Sequence, residues 1–300
     1  MARIRFHKYE GLGNDFIVVD LPAEGAGGVG PVQARRWCDR HVGIGADGVL
    51  ALSPAADAAA AARRLTVWNA DGTRAAMCGN GLRCVAAYLW SHGSAAERAA
   101  TELRFETDSG VLACARAPGG LVRAQMAAPR VEAHRAEIVL PGTAAPGAPA
   151  VFPVSAVSAV PEAPAVPAVP ATIEAVLVSV GNPHAVFFDT PADPAALGAA
   201  LQASARFPGG VNAEFARTAG PRRFAVAVWE RGVGLTRACG TGATAVAAAA
   251  VATGRVAPGG PLAIDLPGGT LEVDVAPDLS TAAIVGPAVE VFSGEIAEPA

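Results

Sequence analysis

The feature that most limits what this chain can fold into is an internal repeat. "VWNADGTRAAMCGNG" from Val67 lies without a gap over "VWERGVGLTRACGTG" from Val228, an offset of 161 residues. Trp68 then matches Trp229, Cys78 matches Cys239, Gly79 matches Gly240, and Gly81 matches Gly242, while Asn69 stands opposite Glu230. After each cysteine comes an apolar run suited to a helix. Beyond that run, "LRFETDSGVLACARAPGG" from Leu103 aligns with "LAIDLPGGTLEVDVAPDL" from Leu262, sharing Gly110/Gly269, Leu112/Leu271 and Pro118/Pro277. Near the start of each copy, "GNDFIVV" at Gly13 echoes "GNPHAVF" at Gly181. A repeat this long is a repeat of whole structural units, so two like domains face each other.

Each copy alternates strands with single helices. "RIRFHKYEG", "FIVVD", "GVLALS" and "RLTVWNA" read as strands in the first, with "VQARRWCDRH" and the segment after Cys78 as helices and a hairpin at Asp108-Ser109-Gly110. In the second, "EAVLVSVG", "HAVFFD" and "RRFAVAVWE" read as strands, "PAALGAALQASA" and the segment after Cys239 as helices, and "PGG" at 267–269 as a turn. The expected class is α+β with two pseudo-symmetric domains. The first covers 1–135 and takes in the C-terminal strand near 284–300; the second covers 172–283. Residues 141–171, rich in Ala, Val and Pro, form an insertion near the boundary. Their frequent prolines forbid a helix and they offer no amphipathic face, and with Glu162 as their one ionisable residue they are expected to be dispensable for chemistry.

Composition narrows the function classes. A chain of 300 residues, 52% hydrophobic and 17% charged, suits two compact domains with their own cores. A net charge of −4 with scattered arginines argues against nucleic acid. The N-terminus lacks a signal peptide's apolar core, and no run of about 18 apolar residues would span a membrane, so a cytoplasmic protein is expected. Five cysteines without a secretory signal read as reduced thiols. Cys78 and Cys84 are six apart, there is no CxxC, and no metal site is expected. Cys38, Cys84 and Cys114 read as buried structural residues.

A cysteine at a helix start needs its own explanation. The first backbone N–H groups are unpaired and the dipole is positive there, which favours thiolate. A single such cysteine would most simply be a small buried hydrophobe. Here the arrangement occurs twice.

"KYEGLGNDFIVVD", "GIGADGVL", "NADG", "MCGNGLRC", "GNPHAV", "GVNAEF" and "WERGVGLTRACGTGATA", in that order, resemble the diaminopimelate epimerase family from about residue 8 to the hairpin near 270. The resemblance implies two mixed sheets, each wrapped around a central helix, with the active site in the cleft between them. It also implies cofactor-independent conversion of LL- to meso-2,6-diaminopimelate, for lysine and peptidoglycan precursors, by a homodimer. Inverting an α-carbon requires a base on one face and an acid on the other, which gives Cys78 and Cys239 a chemical reason as thiolate and thiol. Pyridoxal phosphate would need a Schiff-base lysine, and the only lysine is Lys8 on an N-terminal strand, so no cofactor is expected. The N–H groups of Gly79, Asn80, Gly240 and Thr241 would hold one carboxylate between two helix N-termini.

Other roles follow from the resemblance alone. Asn14 and Glu230 would hold the ammonium at the reacting centre. Asn69, Asn182, Asn212 and Arg231 would hold the distal end, its carboxylate on Arg231. His184 would either assist or serve as a structural hydrogen-bonding group. Leu235 departs from the family, which usually has an acidic residue there. "GIGADG" lacks the Lys and following helix of a phosphate loop, so nucleotide binding is not expected. Three rivals remain at this point. A proline racemase type would usually carry "GHG" after its first cysteine; a Cys239–His184 hydrolase leaves Cys78 unexplained; a redox protein would join Cys78 to Cys239.

Overall fold

The structure, a computed structural model, describes residues 3–21, 29–140 and 172–297. The insertion expected at 141–171 lies outside them. The first copy runs β1 (Arg3–Gly11), β2 (Asn14–Asp20), α1 (Pro31–Cys38), β3 (Gly48–Ser53), β4 (Arg63–Asn69), β5 (Arg74–Ala75), α2 (Gly79–His92), α3 (Ala95–Ala99), β6 (Glu102–Thr107), β7 (Gly110–Arg116), β8 (Val122–Met126) and β9 (Arg130–Val139). The second runs β10 (Thr172–Ser179), β11 (Pro183–Phe188), α4 (Pro194–Gln202), β12 (Asn212–Gly220), β13 (Arg223–Glu230), β14 (Gly234–Thr236), α5 (Gly240–Ala252), β15 (Leu262–Leu266), β16 (Gly269–Val275), β17 (Ala282–Gly286) and β18 (Val289–Ala297).

The repeat is carried through strand by strand. In the first copy β2 pairs parallel with β3 and β4 with β6; in the second, β11 with β12 and β13 with β15. The remaining pairs are antiparallel, so both sheets are mixed. The copies join where β8 pairs with β17. They also exchange their last strands: β9 lies on β10 of the second copy, and β18 lies on β1 of the first. The tight turns between β1 and β2 and between β10 and β11 both need a left-handed residue, supplied by Gly13 at φ +79 and Gly181 at φ +84.

Each sheet curls around one helix. α2 packs on β1, β2, β3, β7, β8 and β18, and α5 on their counterparts β10, β11, β12, β16, β17 and β9. A helix enclosed this way must be apolar on every side. α5 meets that demand with Ala245–Ala250, all fully buried, whose small side chains let the strands approach. α2 does so with Leu82, Cys84, Val85, Ala86 and Leu89, and also buries Arg83 completely. Both helices belong to one continuous core. Two smaller clusters lie on the outer faces, under α1 and under α4.

One boundary and one strand differ from the sequence reading. The expected helix "VQARRWCDRH" stops at Cys38, because the Asp39 carboxylate accepts the N–H groups of His41 (2.7 Å) and Val42 (3.0 Å) and turns the chain. β12 is a strand where only a motif was legible. Its first residues bury Asn212 and Glu214, so the usual apolar signal is missing.

Candidate active site

The two repeated cysteines occupy equivalent places. Cys78 is the N-cap of α2 and its sulfur accepts the Gly81 N–H at 3.3 Å. Cys239 is the N-cap of α5 and accepts the Gly242 N–H at 3.4 Å, sharing a further 3.4 Å contact with the Thr241 hydroxyl. All five cysteines are free thiols.

The two helix starts touch. A Cβ on Gly240 would lie 3.7 Å from the Gly79 Cα and 3.0 Å from Ile284, and one on Gly79 would also press on Ile284 at 3.0 Å. Asn80 ties the two together: its amide donates to Asn14 Oδ1 (3.1 Å) and to the carbonyl of Ala238 (3.4 Å), the residue before Cys239. Its own Oδ1 is buried without a hydrogen-bond partner among the described residues. Gly79, Asn80, Gly240, Asn14 and both cysteines thus form one cluster where the two N-terminal dipoles converge.

The remaining candidates fall on the sheet edges around it. Glu230 ends β13 and accepts the Thr236 hydroxyl at 2.6 Å, and its charge acts on the Cys239 thiol. Asn182 and His184 follow the Gly181 turn, joined by a 2.9 Å contact between Asn182 Oδ1 and His184 Nε2. His184 is the register neighbour of Asn212, whose Oδ1 accepts the Arg231 N–H at 2.8 Å. Arg231 directs one guanidinium N–H to the Gly209 carbonyl at 3.3 Å. Asn69 bonds Thr73 at 2.9 Å within its own turn and pairs across the sheet with Gly48. Leu235 is exposed on β14.

Electrostatics raise both thiols. Burial is the main cause for Cys78, with Glu230 adding to it and the Gly81 and Asn80 N–H groups and Arg83 opposing it. Cys239 is raised further, by burial and then by Glu230 and Glu214, against the Thr241 and Gly242 hydrogen bonds. Burial also lifts the Glu230 carboxyl above its ordinary value, while the Thr236 hydrogen bond and the Cys239 thiol pull it down.

Two acidic residues belong to this neighbourhood that sequence reasoning did not single out. Asp47, within "GIGADG", accepts the Asn14 side-chain amide at 2.7 Å and binds Arg40 at 2.8 Å. Glu214, within "GVNAEF", is fully buried and meets His184 Nδ1 at 2.7 Å. Only the pairing of β11 with β12 reveals it. Lys8 is buried and held by Asp15 at 2.6 Å and by the Gly45 carbonyl. Among the described residues one cluster has metal-donor chemistry, His7, His92 and Glu290, on the seam of β1, α2 and β18 and apart from the cysteines. No helix among them is long and apolar enough to cross a membrane.

Residues 6–131 and 176–291 match the family described as diaminopimelate epimerase. The chain is 40% identical to the diaminopimelate epimerase of Desulforudis audaxviator (strain MP104C), over 97% of this chain and 99% of that one. It is 38% identical to that of Synechococcus sp. (strain JA-3-3Ab), over 99% of each. Among solved structures it superposes on a hydroxyproline epimerase from Agrobacterium vitis with a TM-score of 0.69 at 17% identity, covering 98% of this chain and 92% of that one. A phenazine biosynthesis protein of the PhzF family from Bacillus anthracis gives 0.67 at 14% identity, covering 99% and 100%. Those two likenesses establish the fold. The sequence relatives make this chain an isomerase of the amino-acid epimerase class. Within that class it belongs to the diaminopimelate epimerase family.

Proposed function

We propose that this protein interconverts LL- and meso-2,6-diaminopimelate without a cofactor, with Cys78 and Cys239 as the two proton carriers. One thiolate removes the α-proton as the opposite thiol delivers its own to the other face, so that the pair ends with its proton exchanged. The observation that carries this reading is the meeting of two cysteine-capped helix starts, Gly79 against Gly240. The N–H groups of Gly79, Asn80, Gly240 and Thr241 hold the α-carboxylate and stabilise charge as it delocalises from the α-carbon. Asn14 and Glu230 take the adjacent ammonium. Asn69, Asn182, Asn212 and Arg231 take the distal end, where the guanidinium fork matches a carboxylate. His184 orients Asn182. The product serves lysine and peptidoglycan precursor synthesis.

Proton NMR of LL-diaminopimelate with reduced enzyme in deuterated water tests the proposal. Loss of the α-proton signal with growth of the meso isomer supports it. Comparable turnover of proline would instead make the chain a proline racemase type. A homodimer belongs to the same reading, and is supported by Val289, Val291 and Phe292, apolar side chains left exposed close together in sequence on β18. Light scattering on the eluting peak measures it.

A further inference from the structure

The two copies are alike in backbone and unlike in buried charge. Leu50 on β3 and Glu214 on β12 are equivalent positions, each two residues beyond the one paired with Phe16 and with His184 respectively. Each supports the first turn of its central helix. A Cβ on Gly81 would lie 2.8 Å from Leu50 Cδ2, and one on Gly242 would lie 2.8 Å from Glu214 Oε1. The start of α2 therefore rests on hydrocarbon, and the start of α5 rests on a carboxylate. Glu214 is wholly enclosed, and its Oε2 has no hydrogen-bond partner among the described residues. Five residues after each cysteine the contrast is reversed. Arg83 in α2 is fully buried, donates from Nε to the Pro287 carbonyl at 3.2 Å, and leaves Nη1 and Nη2 without a partner among the described residues. Its counterpart Thr244 in α5 is neutral and bonds the Gly240 carbonyl at 2.9 Å.

Resting on the function proposed above, we propose that the two thiols are inequivalent before substrate arrives: Cys78 ionises first, Cys239 retains its proton, and Glu214 is the positioning residue that sets this order. A carboxylate beneath the N-terminus of α5 cancels the positive pole that would otherwise stabilise a thiolate at Cys239. A buried guanidinium in α2 does the opposite for Cys78. The charged and titratable groups facing Cys239 are Glu230 from β13 and Glu214 from β12, the latter paired with His184 from β11. Those facing Cys78 are Glu230, Arg83 and the buried Cys84 thiol, and Arg83 is itself faced by Glu10, Cys84 and Cys114. Glu230 is common to both, so among the charged groups Glu214 and Arg83 make the difference, in the same direction as the deeper burial of Cys239 beside the half-buried Cys78. The free protein is then set for the stereoisomer whose α-hydrogen faces Cys78. A turnover in that direction leaves the thiolate on Cys239, and a proton must return there before the next.

The test is the pH dependence of iodoacetamide alkylation at each cysteine of the full-length reduced protein, resolved by peptide mass spectrometry. Accessibility scales the rate and leaves the midpoint in place, so the midpoints compare the two thiols directly. Cys78 should titrate below Cys239 by about one pH unit or more. Glu214→Gln should bring the Cys239 midpoint down toward that of Cys78 and leave the Cys78 midpoint where it was. Coincident midpoints, a lower midpoint for Cys239, or a Glu214→Gln variant that moves both thiols equally or neither would overturn the inference. If that variant does not fold, the wild-type order decides which thiol ionises first, and Gly242→Ala, whose Cβ displaces Glu214, decides the role of Glu214 by whether it moves the Cys239 midpoint alone. No substrate is used, so failure of the NMR assay with the order intact removes the proposed function and not the charge asymmetry.

Discussion

Gly242→Ala separates the structural part of this reasoning from the catalytic part. Gly242 is helical, and alanine there should gain about 1 kcal/mol of helix propensity. Its Cβ would lie 2.8 Å from Glu214 Oε1, 3.3 Å from Glu214 Cγ and 3.4 Å from the Cys239 Cβ. A carboxylate at the end of a side chain normally steps aside at little cost. Glu214 has no room to do so, being fully buried and held to His184 at 2.7 Å. Breaking a buried hydrogen bond to a carboxylate and stranding that group costs about 2–4 kcal/mol. Set against the propensity gain, the net loss is about 1–3 kcal/mol, or a melting temperature lower by about 2–6 °C. Gly81→Ala is the control, since its Cβ meets Leu50, whose displacement strains packing without stranding a charge. Paired thermal melts and alkylation profiles check both: only Gly242→Ala should also alter the Cys239 titration. A Gly242→Ala protein as stable as wild type, with an unchanged profile, would refute the claim that Glu214 is pinned beneath α5.

Cys78→Ala and Cys239→Ala should each abolish epimerisation while leaving circular dichroism and melting nearly unchanged; near-wild-type turnover in either would rule out a carrier on both faces. Arg231→Lys should raise KM for diaminopimelate more than it lowers kcat, because an ammonium cannot reproduce the guanidinium fork, and collapsed turnover at unchanged KM would move Arg231 to the reacting end. Acid stability should depend on Asp15. Its burial alone would raise the carboxyl, but hydrogen bonds from Arg40 and Lys8 outweigh burial and bring it down to about 2. A carboxyl lowered on folding stabilises above its unfolded value near 3.9 and loses that contribution as pH falls toward its folded value, here between about pH 4 and 2, amounting to about 2 kcal/mol. Urea melts of wild type and Asp15→Asn across that window should converge as pH drops; a constant gap would exclude the linkage.

How far this site could be read from sequence depends on which residues the repeat marks by themselves. Cys78, Cys239 and the glycines after them declare themselves because the same letters recur before the same kind of helix, and a cap needs only local spacing. Glu214 declares nothing locally. One residue after Ala213 in a strand whose start is polar, it acquires meaning only when β12 pairs in parallel with β11 and brings it to His184. Asp47 was hidden differently, inside a glycine-rich stretch that invites a phosphate-loop reading, and its partner Asn14 is 33 residues away. The crossing of β9 to the second copy was illegible for the same reason, since nothing in "RVEAHRAEIV" specifies a partner strand, and the pairing of Ile173 with Ile138 is fixed by the sheet that β10 builds. Repetition therefore exposes what the two copies share. The charges that make them unequal, Glu214 against Leu50 and Arg83 against Thr244, lie where the copies diverge, and only the register of the folded strands and helices shows that they occupy equivalent places. A symmetric scaffold can exchange a proton in either direction, and it is at these mismatched positions that the direction of the first transfer is set.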